Sequence, residues 1–86
     1  MTYRLEFAPR TRRQLLNLPR KVQARLAPAI EALAENPRPH GVKKMAGEEN
    51  LYRIRVGSYR VIYQIRDKDL LVLIVKIGHR REVYRG

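Results

Sequence analysis

Hydrophobic and polar positions alternate with period two through residues 51–63, LYRIRVGSYRVIY, with one interruption at Gly57-Ser58. The alternation predicts two β-strands joined as a hairpin. Glycine in the first place of a two-residue loop suits a type II′ turn, because that position needs a positive φ. With such a turn Val56 faces Tyr59, Arg55 faces Arg60, Ile54 faces Val61, Arg53 faces Ile62 and Tyr52 faces Tyr63. One face then carries Tyr52, Ile54, Val56, Tyr59, Val61 and Tyr63, and the other Arg53, Arg55, Arg60 and Ile62. Like charges placed directly across a strand pair cost a few tenths to ~1 kcal/mol. A Glu opposite Arg55 would be the stabilising choice, so the Arg55–Arg60 pair points to a bound polyanion. A solvated polar face with a chance clash is the blander account.

Upstream, residues 2–7 alternate Tyr3, Leu5 and Phe7 inward with Arg4 and Glu6 outward, the pattern of a short half-buried strand. Ala8-Pro9 opens a helix over residues 9–18, since proline is tolerated in a first turn. Leu15 and Leu18 point inward there, flanked by Ala8 and Leu16. After Pro19, Val22, Leu26, Ala29, Ile30 and Leu33 recur at helical spacing and predict a second helix reaching Glu35. Pro28 lies off that stripe, lacks the N–H that would reach the carbonyl of Ala24, and should bend the helix without ending it. Asn36-Pro37-Arg38-Pro39 terminates it. Residues 40–50 read as a loop punctuated by Gly41 and Gly47. Lys43 and Lys44 fall in that loop, solvated and within reach of a phosphate, and His40 is an exposed loop histidine.

Downstream, Asp67-Lys68-Asp69 reads as a three-residue turn that sets Ile65 against Leu71, before an apolar strand over residues 70–77. A two-residue loop would flip the core faces. This register puts Lys76 opposite Arg60, so that Arg55, Arg60 and Lys76 would form a row across strands spaced ~4.8 Å apart, a trough for phosphate. Gly78 is expected to break the strand and residues 79–85 to form a tail along the sheet or the trough. The predicted order β-α-α-β-β-β makes an α+β fold: an antiparallel sheet with an N-terminal helical hairpin on one face and an open basic face opposite. Eighty-six residues are enough for one domain, taken as residues 1–86.

Charge narrows the class of partner. The chain carries a net charge of +11, most of it from arginine, which implies an extended acidic partner. The guanidinium fork matches phosphate oxygens, so nucleic acid leads. Adsorption to a membrane surface would need bulky apolar residues that the core already uses. Arg10, Arg12 and Arg13 sit near the start of the first helix, where the helix dipole disfavours positive charge; an external anion or water and salt would relieve this equally well. There is no cysteine, and only His40 and His79 offer imidazole, so neither a metal centre nor a cofactor is expected. The longest apolar run, residues 70–75, is six residues, far short of a membrane span. The first ten residues lack a signal-peptide core, and a cytoplasmic location is expected.

The chain resembles the RelE/ParE superfamily of type II toxin–antitoxin toxins, and within it the RelE-like branch. The likeness runs through Y-x-L-x-F near the start, L-x-x-N-P-R-P at the end of the second helix, K-K-M-A-G, L-Y-R-I-R-V-G-S-Y-R-V-I-Y and finally I-G-H-R-R-E-V-Y-R, nearly the whole chain. It implies a toxin that enters the ribosomal A site and cleaves messenger RNA without a metal, restrained by an antitoxin wrapped around it. The ribose 2′-hydroxyl would attack the adjacent phosphate, leaving a 2′,3′-cyclic phosphate and a 5′-hydroxyl. Such a step needs charge neutralisation, a proton acceptor and a proton donor. The family's basic residues fall on Arg53, Arg55, Arg60 and Arg80, and its C-terminal aromatic on Tyr84. Arg60 and Arg80 are implied as phosphate and transition-state clamps, with Arg53 and Arg55 on the flanking backbone and Tyr84 stacking on a base and moving a proton. Lys43, Lys44, Lys76 and Arg81 are expected to add RNA contacts. The best-known member has lysines where this chain has Arg53 and Arg55, and arginine does not give up its proton. Tyr84 and His79 are therefore the candidate bases, while Glu82 is expected to pair with a nearby arginine. Two other readings stay open: a gyrase-directed inhibitor of the ParE branch, and a non-catalytic RNA-binding module.

Overall fold

The computed structural model describes residues 2–47 and 50–79. The chain runs β1 (Arg4–Phe7), α1 (Pro9–Leu16), α2 (Arg20–Glu35), β2 (Lys43–Lys44), β3 (Leu51–Val56), β4 (Tyr59–Arg66) and β5 (Leu71–His79), with a 3-10 turn at Asp67–Asp69. The strands form one sheet in the order β1-β5-β4-β3-β2. β1 runs parallel to β5, with Leu5 beside Val72, and every other pair is antiparallel. The sheet is thus mixed and five-stranded, which corrects the antiparallel, four-stranded expectation. Tight turns force neighbouring strands to reverse, but β1 joins the sheet through two helices and escapes that constraint. The added strand, Lys43–Lys44, pairs with Arg53 and Tyr52. Two exposed lysines give no hydrophobic alternation from which to read a strand.

The hairpin has the register its side chains predicted, Val56 with Tyr59 through Tyr52 with Tyr63. Gly57 has φ +61° while Ser58 stays out of the positive-φ region, as a type II′ turn requires. The β4–β5 connection differs. It takes four residues, with Leu70 left-handed at φ +49°, and pairs Ile65 with Val72 instead of Leu71. A one-residue slip would turn β5 inside out. A bulge opposite Ile62 and Tyr63 reverses it: the partner steps from Ile74 to Lys76, which leaves Val75 over. The two slips sum to a shift of two, so Lys76 keeps its face but stands across from Ile62, and Gly78 stands across from Arg60. Gly78 does not end the strand, which continues to His79.

One side of the sheet is covered by the helices. Leu26, Ile30 and Leu33 of α2 are buried against Ile54, Val61, Tyr63, Ile65, Val72, Ile74 and Ile77, and Leu15, Leu18 and Val22 pack around them. α2 passes Pro28 as one helix, and its stripe holds phase on both sides. Burial of a Leu or Ile side chain contributes ~1.5–3 kcal/mol, against 0–1 kcal/mol for an exposed ion pair, so this stripe dominates the attachment of the helices. α1 also closes the edge of β5 beyond β1. The N–H of Ala8 donates to Ile74 O at 2.9 Å, and the N–H of Ile77 to Gln14 Oε1 at 3.2 Å.

Candidate active site

On the side of the sheet away from the helices, alternation and register bring the cations together. Lys43 pairs with Arg53, and Arg55 with Arg60, so β2, β3 and β4 each direct positive charge to one face. Lys43, Arg53, Arg55 and Arg60 line a single pocket of about 150 Å³ with Gly41 and Ile54. Gly41 has φ +89°, a backbone state that glycine adopts without a steric cost. Arg55 is steadied by its Nε donating to Gly57 O at 3.2 Å. Gly78 of β5 stands across from Arg60.

Two unit charges ~6 Å apart repel by about 0.7 kcal/mol in a water-like dielectric and roughly four times that at an effective dielectric of 20. Four cations around so small a volume therefore favour an anion among them. A phosphodiester supplies one, and guanidinium forks can follow its charge as it grows in a transition state. Among the described residues no three His, Cys, Asp or Glu side chains gather in a cluster.

Lys44 is exposed on the neighbouring position of β2 and pairs with Tyr52, pointing by alternation to the other face from Lys43. Lys76 shares the basic face, in the row of Lys43, Arg53 and Ile62, two residues along β5 from the position across from Arg60. His79 lies directly across from Tyr59, ring centres 5.7 Å apart and edge to face, on the face that carries the core and away from Arg60. Arg80, Arg81, Glu82 and Tyr84 lie outside the described residues.

A second polar cluster, missed in the sequence, ties the segment after α2 to the sheet. The guanidinium of Arg38 forks onto Asp67, with Nη1 to Oδ1 at 3.2 Å and Nη2 to Oδ2 at 3.0 Å. Its Nε and Nη2 also donate to Tyr52 Oη at 3.4 and 3.3 Å, and its central carbon lies 5.1 Å from the centre of that ring. Tyr3 donates to Asp67 Oδ1 at 2.6 Å. The hydrogen bond from Arg38, then that from Tyr3, holds the Asp67 carboxyl below its usual range. Donation to that carboxylate in turn raises Tyr3. Tyr63 is buried, stacks on Tyr52 with ring centres 6.2 Å apart, and donates to Pro37 O at 2.7 Å. Burial raises its phenol above the ordinary tyrosine range. The one sequence signal was a lone arginine between two prolines at a helix exit.

Residues 5–84 match the family described as the ParE toxin of the type II toxin–antitoxin system parDE. The mRNA interferase toxin RelE of Escherichia coli is 31% identical over 88 residues, covering 98% of this chain and 92% of that one. Among solved structures, the archaeal RelE–RelB complex from Pyrococcus horikoshii OT3 superposes with a TM-score of 0.82 at 33% identity, over all of both chains. The intact RelBE toxin–antitoxin complex of E. coli gives 0.80 at 28% identity, over 90% of this chain and 95% of that one. The chain belongs to the RelE/ParE family of type II toxin–antitoxin toxins, as a RelE-like member.

Proposed function

We propose that this toxin is an endoribonuclease that cleaves messenger RNA in the ribosomal A site and so stops translation. The observation that carries the reading is the pocket in which Lys43, Arg53, Arg55 and Arg60, from three strands, surround a volume suited to one phosphodiester. The similarity to a protein named an mRNA interferase supports it. In the step itself the 2′-oxygen bonds to phosphorus as its proton passes to a base, and the bond from phosphorus to the 5′-oxygen breaks as that oxygen takes up a proton. The products are a 2′,3′-cyclic phosphate and a 5′-hydroxyl. The substrate provides the nucleophile, so the route calls for no metal. Arg60 and Arg80 clamp the reacting phosphate, with Arg55 and Arg53 on the backbone flanking it. Lys43, Lys76 and Arg81 hold further RNA, and Tyr84 stacks on a base and moves a proton. The restraining partner is an antitoxin chain with an acidic segment, by analogy with the toxin–antitoxin complexes it resembles. The setting is the cytoplasm, where ribosomes are.

Adding the purified chain to a cell-free translation reaction tests this reading: messenger is cut at the A site if it holds and stays whole if it does not. The description of the matching family as a ParE toxin favours a second reading, a non-catalytic inhibitor of DNA gyrase. Loss of supercoiling activity at low toxin concentration, with messenger uncut, would select that one.

A further inference from the structure

Arg38 and Asp67 form an ion pair whose geometry is better than its exposure explains. Their side chains are 42% and 54% exposed, and a pair so exposed adds little to stability. Yet the contact is two-pronged, it recruits Tyr3 and Tyr52, and it joins four parts of the chain far apart in sequence. What it fixes is place. Pro37 and Pro39 restrict the backbone on both sides of Arg38. Pro37 O is held by the buried Tyr63 hydroxyl. The N–H of Arg38 donates to Asn36 Oδ1 at 3.2 Å, and that of Val42 to Pro39 O at 3.0 Å, which closes a turn. That turn leads directly into β2, whose Lys43, with Gly41 ahead of it, lines the basic pocket.

β2 is two residues long, and its join to β3 extends one step further, where the N–H of Met45 donates to Leu51 O at 2.9 Å. Its Lys44 pairs with Tyr52, the same side chain that accepts from Arg38. The clamp and the pocket wall therefore share a strand position and a short, closed loop. We propose that Arg38 and Asp67 are positioning residues: their ion pair sets where the Gly41–Lys43 wall stands, and with it the contact of Lys43 with RNA phosphate. This inference rests on the reading of the pocket as an RNA site.

The test uses the full chain and a 2′-O-methyl RNA oligonucleotide, which cannot be cleaved, with affinity measured by fluorescence anisotropy at several salt concentrations. Lys43→Ala should lower the slope of log K against log salt by roughly 0.7, the loss of one phosphate contact on a single strand. Asp67→Asn should lower it similarly, although it makes the chain more positive and bulk charge alone would steepen the slope. The double variant should fall no further than either single one, because both remove the same contact. The swapped pair R38D/D67R should recover the slope in a folded chain, which also covers a failure of Asp67→Asn to fold. A normal slope for Asp67→Asn beside a lowered one for Lys43→Ala overturns the inference and leaves the pocket reading intact. So do additive losses without rescue by the swap. No change in Lys43→Ala removes the RNA contact, and the inference goes with it.

Discussion

Arg55 and Arg60 stand directly across from one another, one pair in from the Gly57-Ser58 turn, with Arg55 donating to the turn's own carbonyl at Gly57. A fold selected for stability alone would gain from a carboxylate at one of these two places. The pair therefore trades folding energy for charge at the mouth of the basic pocket. Arg55→Glu should show the trade. It replaces repulsion by attraction and should raise Tm by about 2–5 °C. It should also abolish toxicity and RNA binding. Differential scanning calorimetry beside a growth assay checks both halves; a variant that is less stable and still toxic would count against it.

The hydroxyl of Tyr63 is the buried link between β4 and the exit of α2. Tyr63→Phe leaves the ring packed and Pro37 O without that donor, at a cost of about 1–2 kcal/mol. For a domain of this size Tm should fall by about 5–12 °C. An unchanged Tm would mean that the hydrogen bond contributes nothing net.

Gly57 tests the hairpin turn. An added Cβ would meet Arg25 Nη1 at 3.6 Å, an ordinary contact, so space is not the obstacle. The φ of +61° is, and Gly57→Ala should cost about 1–2 kcal/mol by chemical denaturation, with m unchanged.

The tyrosines and Asp67 set the shape of the pH–stability curve. Tyr63 and Tyr3 have raised folded pKa values, so their stabilisation is full below the unfolded value near 10 and is lost as pH rises through the folded values. Asp67 has a depressed folded pKa, so its stabilisation is present above the unfolded value near 3.9 and is lost as pH falls through the folded one. In a series of Tm against pH, Tyr63→Phe should flatten the alkaline limb and Asp67→Asn the acid limb. Limbs that keep their shape in both variants would contradict these assignments.

Much of this was legible in the sequence where a side-chain period met a buried face. Leu26, Ile30 and Leu33 marked α2 through Pro28, and alternation with Gly57 at the turn set the β3–β4 register and put Arg55 against Arg60. Features that carry no period were not legible. Lys43–Lys44 became a strand through pairing alone. The four-residue loop ending at Leu70 and the bulge at Val75 each broke the register, and because they cancel in parity the face of Lys76 came out right while its neighbour did not. His79 followed plain alternation to the core side, opposite Tyr59, where a strand break at Gly78 had left its direction open. The clamp of Arg38 on Asp67 joins residues 29 apart in sequence, and no local pattern announces such a contact.

The most direct measurement is the chemistry of the cut ends in a reconstituted translation reaction, for the wild-type chain and for Arg60→Ala of wild-type circular dichroism. With Arg60 clamping the reacting phosphate, wild type leaves messenger fragments ending in 2′,3′-cyclic phosphate at the A site, and Arg60→Ala cuts at least ~100-fold more slowly. Cleavage by Arg60→Ala at the wild-type rate, or messenger left whole by the wild-type chain, would contradict a phosphodiester seated among these cations.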